Sequence, residues 1–164
     1  MIVVSNTTPL IGLGRIGRFN LLADLFGQII VPEAVRAELM AAGDADDPVQ
    51  RAFNASNWIR IQPVSDRLAV EVLLDELDLG EAETIVLGRE LRADWVLMDE
   101  KKGRRKLAEL GIPKIGTVGI LIGARQAEKI TSLGAELARL RGQGFSLSQA
   151  IIDAALVKVG ETSV

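Results

Sequence analysis

The chain has no cysteine, no histidine and no tyrosine among its 164 residues. These absences exclude disulfides, thiol nucleophiles, Ser-His triads and zinc sites with thiolate or imidazole ligands. The side chains left for chemistry are carboxylates, lysine, arginine, serine and threonine. Catalysis by such a chain is expected to use carboxylates that hold a hard cation such as Mg²⁺ or Mn²⁺.

Long apolar runs and aromatic side chains are also scarce. The longest weakly polar run, 115–124, is too short to cross a bilayer, and we expect a cytoplasmic protein without membrane contact. Two Trp and four Phe offer little capacity for stacking on nucleic-acid bases. Because the net charge is −3, any contact with nucleic acid must come from a local basic patch.

Short apolar segments alternate with helical patterns along the chain. Strands are predicted at 2–5, 28–31, 58–62, 95–99 and 113–115. This alternation predicts an α/β fold with a central parallel sheet covered on both faces, followed by a helical C-terminal region. The length fits one domain, and we expect residues 1–164 to form it.

Helix boundaries in the second half of the chain rest on glycine and serine. We expect one helix over 66–77, a break at Gly80 and a new helix over 81–92. Ser146 is expected to cap the last helix.

The stretch 95–106 carries the clearest functional signal. An apolar run ends at Asp99, and five of the next seven residues are cationic: Lys101, Lys102, Arg104, Arg105 and Lys106. A strand that delivers a carboxylate to its C-terminal edge has this pattern, and the basic run suits a phosphate-bearing substrate. A sheet edge followed by a solvated helix has the same pattern, so this stretch alone leaves both interpretations open.

Other polar residues are expected at the same edge of a parallel sheet. Asn6 follows the first strand, Glu38 lies in the helix after the second, and Glu81 opens the helix before the strand of Asp99. Each has an ordinary interpretation too: Asn6 as a helix cap, Glu38 as an exposed helix residue, Glu81 as a favourable charge at a helix N-terminus. Helix geometry separates Glu81 and Glu83 by about 200°, and we expect Glu81 to point inward and Glu83 toward water.

A glycine motif near the start of the chain resembles a cofactor-binding pattern but lies in the wrong context for one. Gly12, Gly14 and Gly17 match the dinucleotide-binding pattern GxGxxG. That pattern has to follow a strand directly, so that its first glycine turns the chain into the helix. Here residues 6–11, which include Pro9, separate the strand from the motif. We therefore expect no nucleotide cofactor at this position.

Several segments together carry a family resemblance. They are VVSNTTPLI at 3–11, VPEAVRAEL at 31–39, LGEAET at 79–84, VLMDE at 96–100 with Gly103-Arg104, and IGTVGIL at 115–121. In these segments the chain resembles PIN-domain proteins, in the branch close to the toxin ribonucleases of toxin–antitoxin operons. The resemblance implies a three-layer α/β/α fold and an acidic pocket that binds Mg²⁺ or Mn²⁺ and cleaves single-stranded RNA.

The resemblance also implies roles for individual residues. Glu38, Glu81 and Asp99 fall at three of the family's acidic, cation-holding positions, and Thr7 falls where a hydroxyl supports the pocket. Asn6 stands where the family has its first catalytic aspartate; its amide oxygen can still ligate a cation, but the lost charge should weaken binding. The residues expected to hold the RNA backbone are Lys101, Lys102, Arg104 and Arg105.

Two functions therefore stay open. The first is a metal-dependent ribonuclease that acts as the toxin of a toxin–antitoxin pair, with a small antitoxin protein as partner and a homodimer as its assembly. The second is a catalytically weakened or inactive module that binds nucleic acid or protein, because Asn6 replaces an acid.

Overall fold

The computed structural model describes residues 1–162; Ser163 and Val164, the end of the expected domain, lie outside the described residues. In chain order the elements are β1 (Val3–Ser5), α1 (Thr7–Arg15), α2 (Leu21–Phe26), β2 (Ile29–Pro32), α3 (Glu33–Ala41), α4 (Pro48–Ala55), β3 (Ile59–Gln62), α5 (Arg67–Leu73), α6 (Leu79–Glu90), β4 (Trp95–Leu97), α7 (Lys101–Glu109), β5 (Lys114–Ile115), α8 (Thr117–Gln126), α9 (Leu133–Gly142) and α10 (Gln149–Val159).

The five strands form one parallel sheet in the order β3-β2-β1-β4-β5. Successive side chains of a strand point to opposite faces, and the core follows that alternation. On one face, Val3 and Leu97 pack against α1–α4 and α8–α10. On the other face, Val4 and Val96 pack against α5, α6 and α7. The predicted three-layer α/β/α fold with a central parallel sheet is confirmed.

Side-chain caps place the starts of α6 and α10 at positions that differ from the predicted ones. The helix expected over 66–77 ends at Leu73, and α6 begins at Leu79 because the Asp78 carboxylate accepts the Glu81 amide at 2.8 Å. Gly80 therefore lies inside the first turn of α6 and does not break a helix. The cap of α10 is Ser148, not Ser146: its hydroxyl accepts the Ile151 amide at 3.2 Å.

The helix α6 lies at the centre of its layer, and this overturns one prediction. All its residues from 82 to 88 are buried, because it packs against α3, α5, α7 and the sheet. Glu83, expected to face water, is 5% exposed. Its carboxylate accepts the Ala34 amide at 3.0 Å and pairs with the Arg67 guanidinium at 2.8 Å. Periodicity failed here because the middle of this helix has no exposed face.

In the helical C-terminal region, the carboxylate of Glu161 links α8, α9 and the end of α10. Glu161 accepts the amides of Leu133 and Gly134 at the start of α9 and pairs with Arg125 of α8. This ties the chain after α10 to both preceding helices. Across residues 1–162, no helix combines the length and the apolar character needed to span a membrane.

We predict that Glu83→Ala lowers the free energy of unfolding by about 2 kcal/mol, because it leaves the Ala34 amide buried without a partner and removes a charge-assisted hydrogen bond. Urea unfolding followed by circular dichroism measures this. The matched control is Glu71→Ala in α5, an exposed glutamate, which should stay within about 0.5 kcal/mol of the parent. Equal losses in the two variants would contradict the structural role of Glu83.

Candidate functional site

The chain connections reverse direction between β1 and β4. From β1 the chain crosses to β2 and then β3 on one side, whereas β4 and β5 lie on the other side. Open parallel sheets form a crevice at such a reversal, outside the carboxyl ends of the strands. Asn6 follows β1, and its backbone N–H donates to the Leu97 carbonyl at 3.0 Å. Asp99 and Glu100 follow β4. The strand ends thus bring these three residues to one crevice.

The Asn6 side chain does not cap α1, although it occupies the N-cap position. Its Nδ2 donates to Glu100 Oε2 at 2.9 Å and contacts Met98 Sδ at 3.4 Å. A flipped amide would turn its oxygen toward the Glu100 carboxylate, so the contact fixes the orientation. Within residues 1–162, Asn6 Oδ1 is the one buried side-chain nitrogen or oxygen without a hydrogen-bond partner. An unpartnered buried oxygen is costly unless a water or cation satisfies it.

Glu100 belongs to this group, and the sequence analysis missed it. Besides Asn6, the Thr8 hydroxyl donates to Glu100 Oε1. Glu100 stands at the N-cap position of α7, yet its side chain makes no cap and reaches across to the start of α1. Two consecutive acids at the end of a strand were the signal available in the sequence, and the prediction used only the first of them.

Glu38 reaches the crevice from α3. The Thr7 hydroxyl donates to Glu38 Oε2 at 2.5 Å. Gly80, in the first turn of α6, lies directly under this carboxylate, so a Cβ there would overlap it. Glycine at position 80 is therefore what allows α6 to approach Glu38, and it brings the adjacent Glu81 with it.

Glu81 is half-buried, and its surroundings disfavour the negatively charged form of its carboxyl. Burial, together with the neighbouring carboxylates of Asp78, Glu100 and Glu38, raises the pKa of Glu81 to about 7. Direct contacts give the arrangement: Glu38 lies against Gly80, the residue before Glu81, while Glu38 and Glu100 accept from the adjacent hydroxyls of Thr7 and Thr8. Asp78, which caps α6 beside Glu81, was not among the predicted site residues.

Asp99 faces a different direction. Its two oxygens accept the Thr117 amide at 2.8 Å and the Thr117 hydroxyl at 2.7 Å, at the start of α8. Burial raises the pKa of Asp99, while the hydrogen bonds from Thr117 oppose the rise. Gly116 and Arg104 lie beside the same carboxylate. The structure thus places Asn6, Glu38, Glu81 and Glu100 together and Asp99 at the side of that group.

The predicted backbone-binding cations differ in their surroundings. Lys101, Lys102 and Arg105 are exposed on α7. Arg104 is half-buried, and one of its nitrogens donates to the Met98 carbonyl at 3.0 Å. Of the five cations in the stretch, Lys106 is engaged elsewhere, since it pairs with Glu109 and Glu76.

The donors of this group match a hard divalent cation in their chemistry, since they are carboxylate oxygens and a free amide oxygen. The unpartnered Asn6 Oδ1 and the unsatisfied charge around Glu81 both favour a cation. In the part of the chain that the structure describes, however, no three acidic side chains stand close enough to hold one ion. The residue types therefore fit a cation, whereas a complete set of ligands is not assembled.

A family model described as a PIN domain matches residues 2–161 of the chain. The protein belongs to the PIN-domain family. This membership generally indicates a metal-dependent nuclease that binds nucleic acid, and PIN domains typically use divalent metal ions. No curated protein matches the chain.

We predict a pH-dependent effect of Glu81→Gln on the stability of this PIN domain in EDTA. Between pH 4.5 and 7 the folded wild type keeps a proton that the unfolded chain has released, so its stability falls as pH rises. Glutamine cannot titrate, and its Tm should exceed that of the wild type by roughly 2–4 °C at pH 8. The advantage should shrink as pH falls toward 4.5. Calorimetric scans across this range measure the difference.

The control for this prediction is Glu71→Gln, an exposed change on α5. Its Tm should follow the wild type at every pH. Parallel curves for wild type and Glu81→Gln would show that the Glu81 carboxyl is not protonated in the folded state near neutral pH.

Proposed function

We propose that the protein is a metal-dependent ribonuclease of PIN type, with single-stranded RNA as its substrate. The observation that carries the proposal is the unpartnered oxygen of Asn6, whose nitrogen binds Glu100, in a crevice where Glu38 lies against Gly80, the residue before Glu81. We take residues 1–164 as one catalytic domain, acting in the cytoplasm.

In this proposal Glu38, Glu81 and Asp99 hold the cation, as the family resemblance implies, with Asn6 as a neutral ligand. Glu100 is added because it contacts Asn6 directly. A bound Mg²⁺ or Mn²⁺ supplies Lewis acidity to the scissile phosphate and lowers the pKa of an attacking water. Thr7 and Thr8 orient Glu38 and Glu100 through their hydroxyls.

The substrate backbone is assigned to the cations of α7. Lys101, Lys102 and Arg105 are exposed and Arg104 sits at the crevice beside Asp99. The guanidinium of Arg104 keeps further N–H donors after its bond to the Met98 carbonyl. These cations offset, for an incoming phosphate, the negative charge of the carboxylates.

We further propose a toxin role, with a small antitoxin protein as partner and a homodimer as assembly. The toxin role follows from the family resemblance, and an exposed apolar side chain on α10 supports a contact with a partner, since Val157 is 76% exposed. Light scattering at micromolar concentration would test the homodimer, and a monomer would remove that part of the proposal.

We predict that the protein cuts a labelled single-stranded RNA with Mn²⁺ and stops in EDTA. Glu81→Gln should lower the rate at least about 100-fold, because it removes a proposed cation ligand. Glu71→Gln should cut like the wild type. Cleavage that survives EDTA, or that is unaffected by Glu81→Gln, would contradict the site. RNA binding without any cleavage would favour the second function, an inactive binding module.

The same assay separates Asp99 from Glu100. If Asp99 is the ligand, Asp99→Asn abolishes cleavage and Glu100→Gln reduces it only through the orientation of Asn6. If Glu100 is the ligand, the order is reversed. The difference is informative because both Asp99 oxygens already accept hydrogen bonds from Thr117, whereas Glu100 accepts from the nitrogen of the same Asn6 amide whose oxygen has no partner.

We predict opposite effects of Asn6→Asp without and with metal. In EDTA the new carboxylate faces Glu100 and loses the 2.9 Å hydrogen bond, so the Tm should fall. With Mn²⁺ the added charge should tighten binding by about tenfold, measured by titration calorimetry. Asn57→Asp, an exposed change, is the control and should leave both unchanged. Unaltered Mn²⁺ affinity in Asn6→Asp would show that Asn6 does not contact the cation.

A further inference from the structure

A groove of about 800 Å³ opens beside the carboxylate group. Its walls are α1, the start of α7 and of α8, and the loop that joins α9 to α10. Asp99 and Glu100 line one end of this groove, so it continues directly from the crevice of the proposed catalytic site. Its volume lies within the range of pockets that hold small organic ligands.

Three cations line the groove: Arg15, Arg104 and Lys114. Arg15 and Lys114 have no ion pair or side-chain hydrogen bond in the described residues 1–162, and Arg15 is exposed at the end of α1. The two acids of the groove accept hydrogen bonds from neutral groups, Asp99 from Thr117 and Glu100 from Asn6 and Thr8, so three cations stand against two acids. The groove therefore presents unused positive charge and favours an anionic occupant.

An aromatic ring and aliphatic side chains form the rest of the lining. Phe145, in the loop between α9 and α10, is half-buried and lies against Gly12 of α1, where a Cβ would come within 3.2 Å of the ring. Ile11, Val118 and Leu147 complete this apolar side. A planar group with an anionic tail suits a groove of one aromatic ring and free cations, and a nucleotide has both parts.

We propose that this groove binds one nucleotide of single-stranded RNA next to the cleaved bond, with its base against Phe145 and its phosphate held by Arg15 and Lys114. The inference rests on the proposed ribonuclease function, because that function supplies the RNA in the adjoining crevice. It adds a binding subsite outside the carboxylate group and the α7 cations. A base that stacks on one aromatic ring contributes about 1–3 kcal/mol without demanding a particular sequence.

The test is RNA binding in EDTA, where cleavage is not required. Fluorescence anisotropy with a labelled eight-nucleotide single strand gives the Kd of the full chain over a series of salt concentrations. Phe145→Leu keeps an apolar side chain but removes the flat ring, and we expect it to weaken binding about tenfold. Arg15→Gln and Lys114→Gln should each weaken binding and reduce the slope of log K against log salt by about 0.7.

The matched control is Lys129→Gln, which removes an exposed cation that does not line the groove. Thermal scans confirm that each variant is folded. Wild-type affinity and salt slope in all three groove variants would overturn the proposal. Binding of a polyglutamate peptide as tightly as RNA, with the same loss in Phe145→Leu, would also overturn it, because the groove would then recognise acidic protein.

The outcomes separate this inference from the proposed function. If the wild type cuts RNA and the groove variants bind and cut as well as it does, the ribonuclease stands and the subsite is wrong. If the wild type binds RNA with the expected losses in the variants but never cuts, the groove is a nucleotide-binding site and the ribonuclease function is wrong.

Discussion

The parallel pairing of β1 with a strand on each side is the constraint on which the rest of the structure depends. Val3, Val4 and Ser5 have no exposed surface, and β1 is the middle strand of the five. A strand so enclosed cannot shift its register, because a slip by one residue would exchange the two faces of the sheet. Its fixed end holds Asn6 beside the end of β4, and the reversal of chain direction there leaves the crevice open.

Two groups of acids in this chain differ in the groups that they contact. Glu83, Glu136 and Glu161 fasten helices, and each is paired with an arginine. Glu38 and Glu100, in the crevice, accept hydrogen bonds from threonine hydroxyls and from the Asn6 amide, which are neutral donors. The pKa of Glu81 rises to about 7 mainly because the carboxyl is partly buried and lies beside Asp78, and Glu100 and Glu38 add to the rise. Under the proposed function, this lost stability would be regained when a cation binds.

The fold could be predicted from the sequence because alternation of short apolar segments with helices is a local signal that repeats five times. Glu83 could not be placed, because its partners Ala34 and Arg67 are distant in the chain and the sequence pattern of α6 does not reveal that it is enclosed. Glu100 was missed for a related reason. Glu100 contacts Asn6 and Thr8 across more than 90 residues of chain, whereas Asp99 contacts Thr117, and the sequence pattern does not specify these distant partners.

Gly12 and Gly14 also have contacts that depend on tertiary packing and that the sequence pattern does not reveal. GxGxxG is not expected to bind a cofactor because residues 6–11 separate it from the strand, and the structure shows that two of its glycines serve helix packing. Gly14 in α1 accommodates Val49 of α4, and Gly12 accommodates Phe145. Both contacts join segments far apart in sequence, so the need for a residue without a Cβ becomes visible only once the helices are packed.

Asn6 is best understood together with Glu100. An aspartate at position 6 could not donate to a carboxylate, so it would place two negative charges in contact at 2.9 Å when no cation is present. Asparagine donates one hydrogen bond to Glu100 and leaves one oxygen free, and it therefore holds the acid in place and still offers a ligand. Removing one charge lowers the affinity for a cation but also lowers the repulsion in its absence. Under the proposed ribonuclease function, Asn6 would therefore suit a site that stays folded when empty and acts when the cation is plentiful.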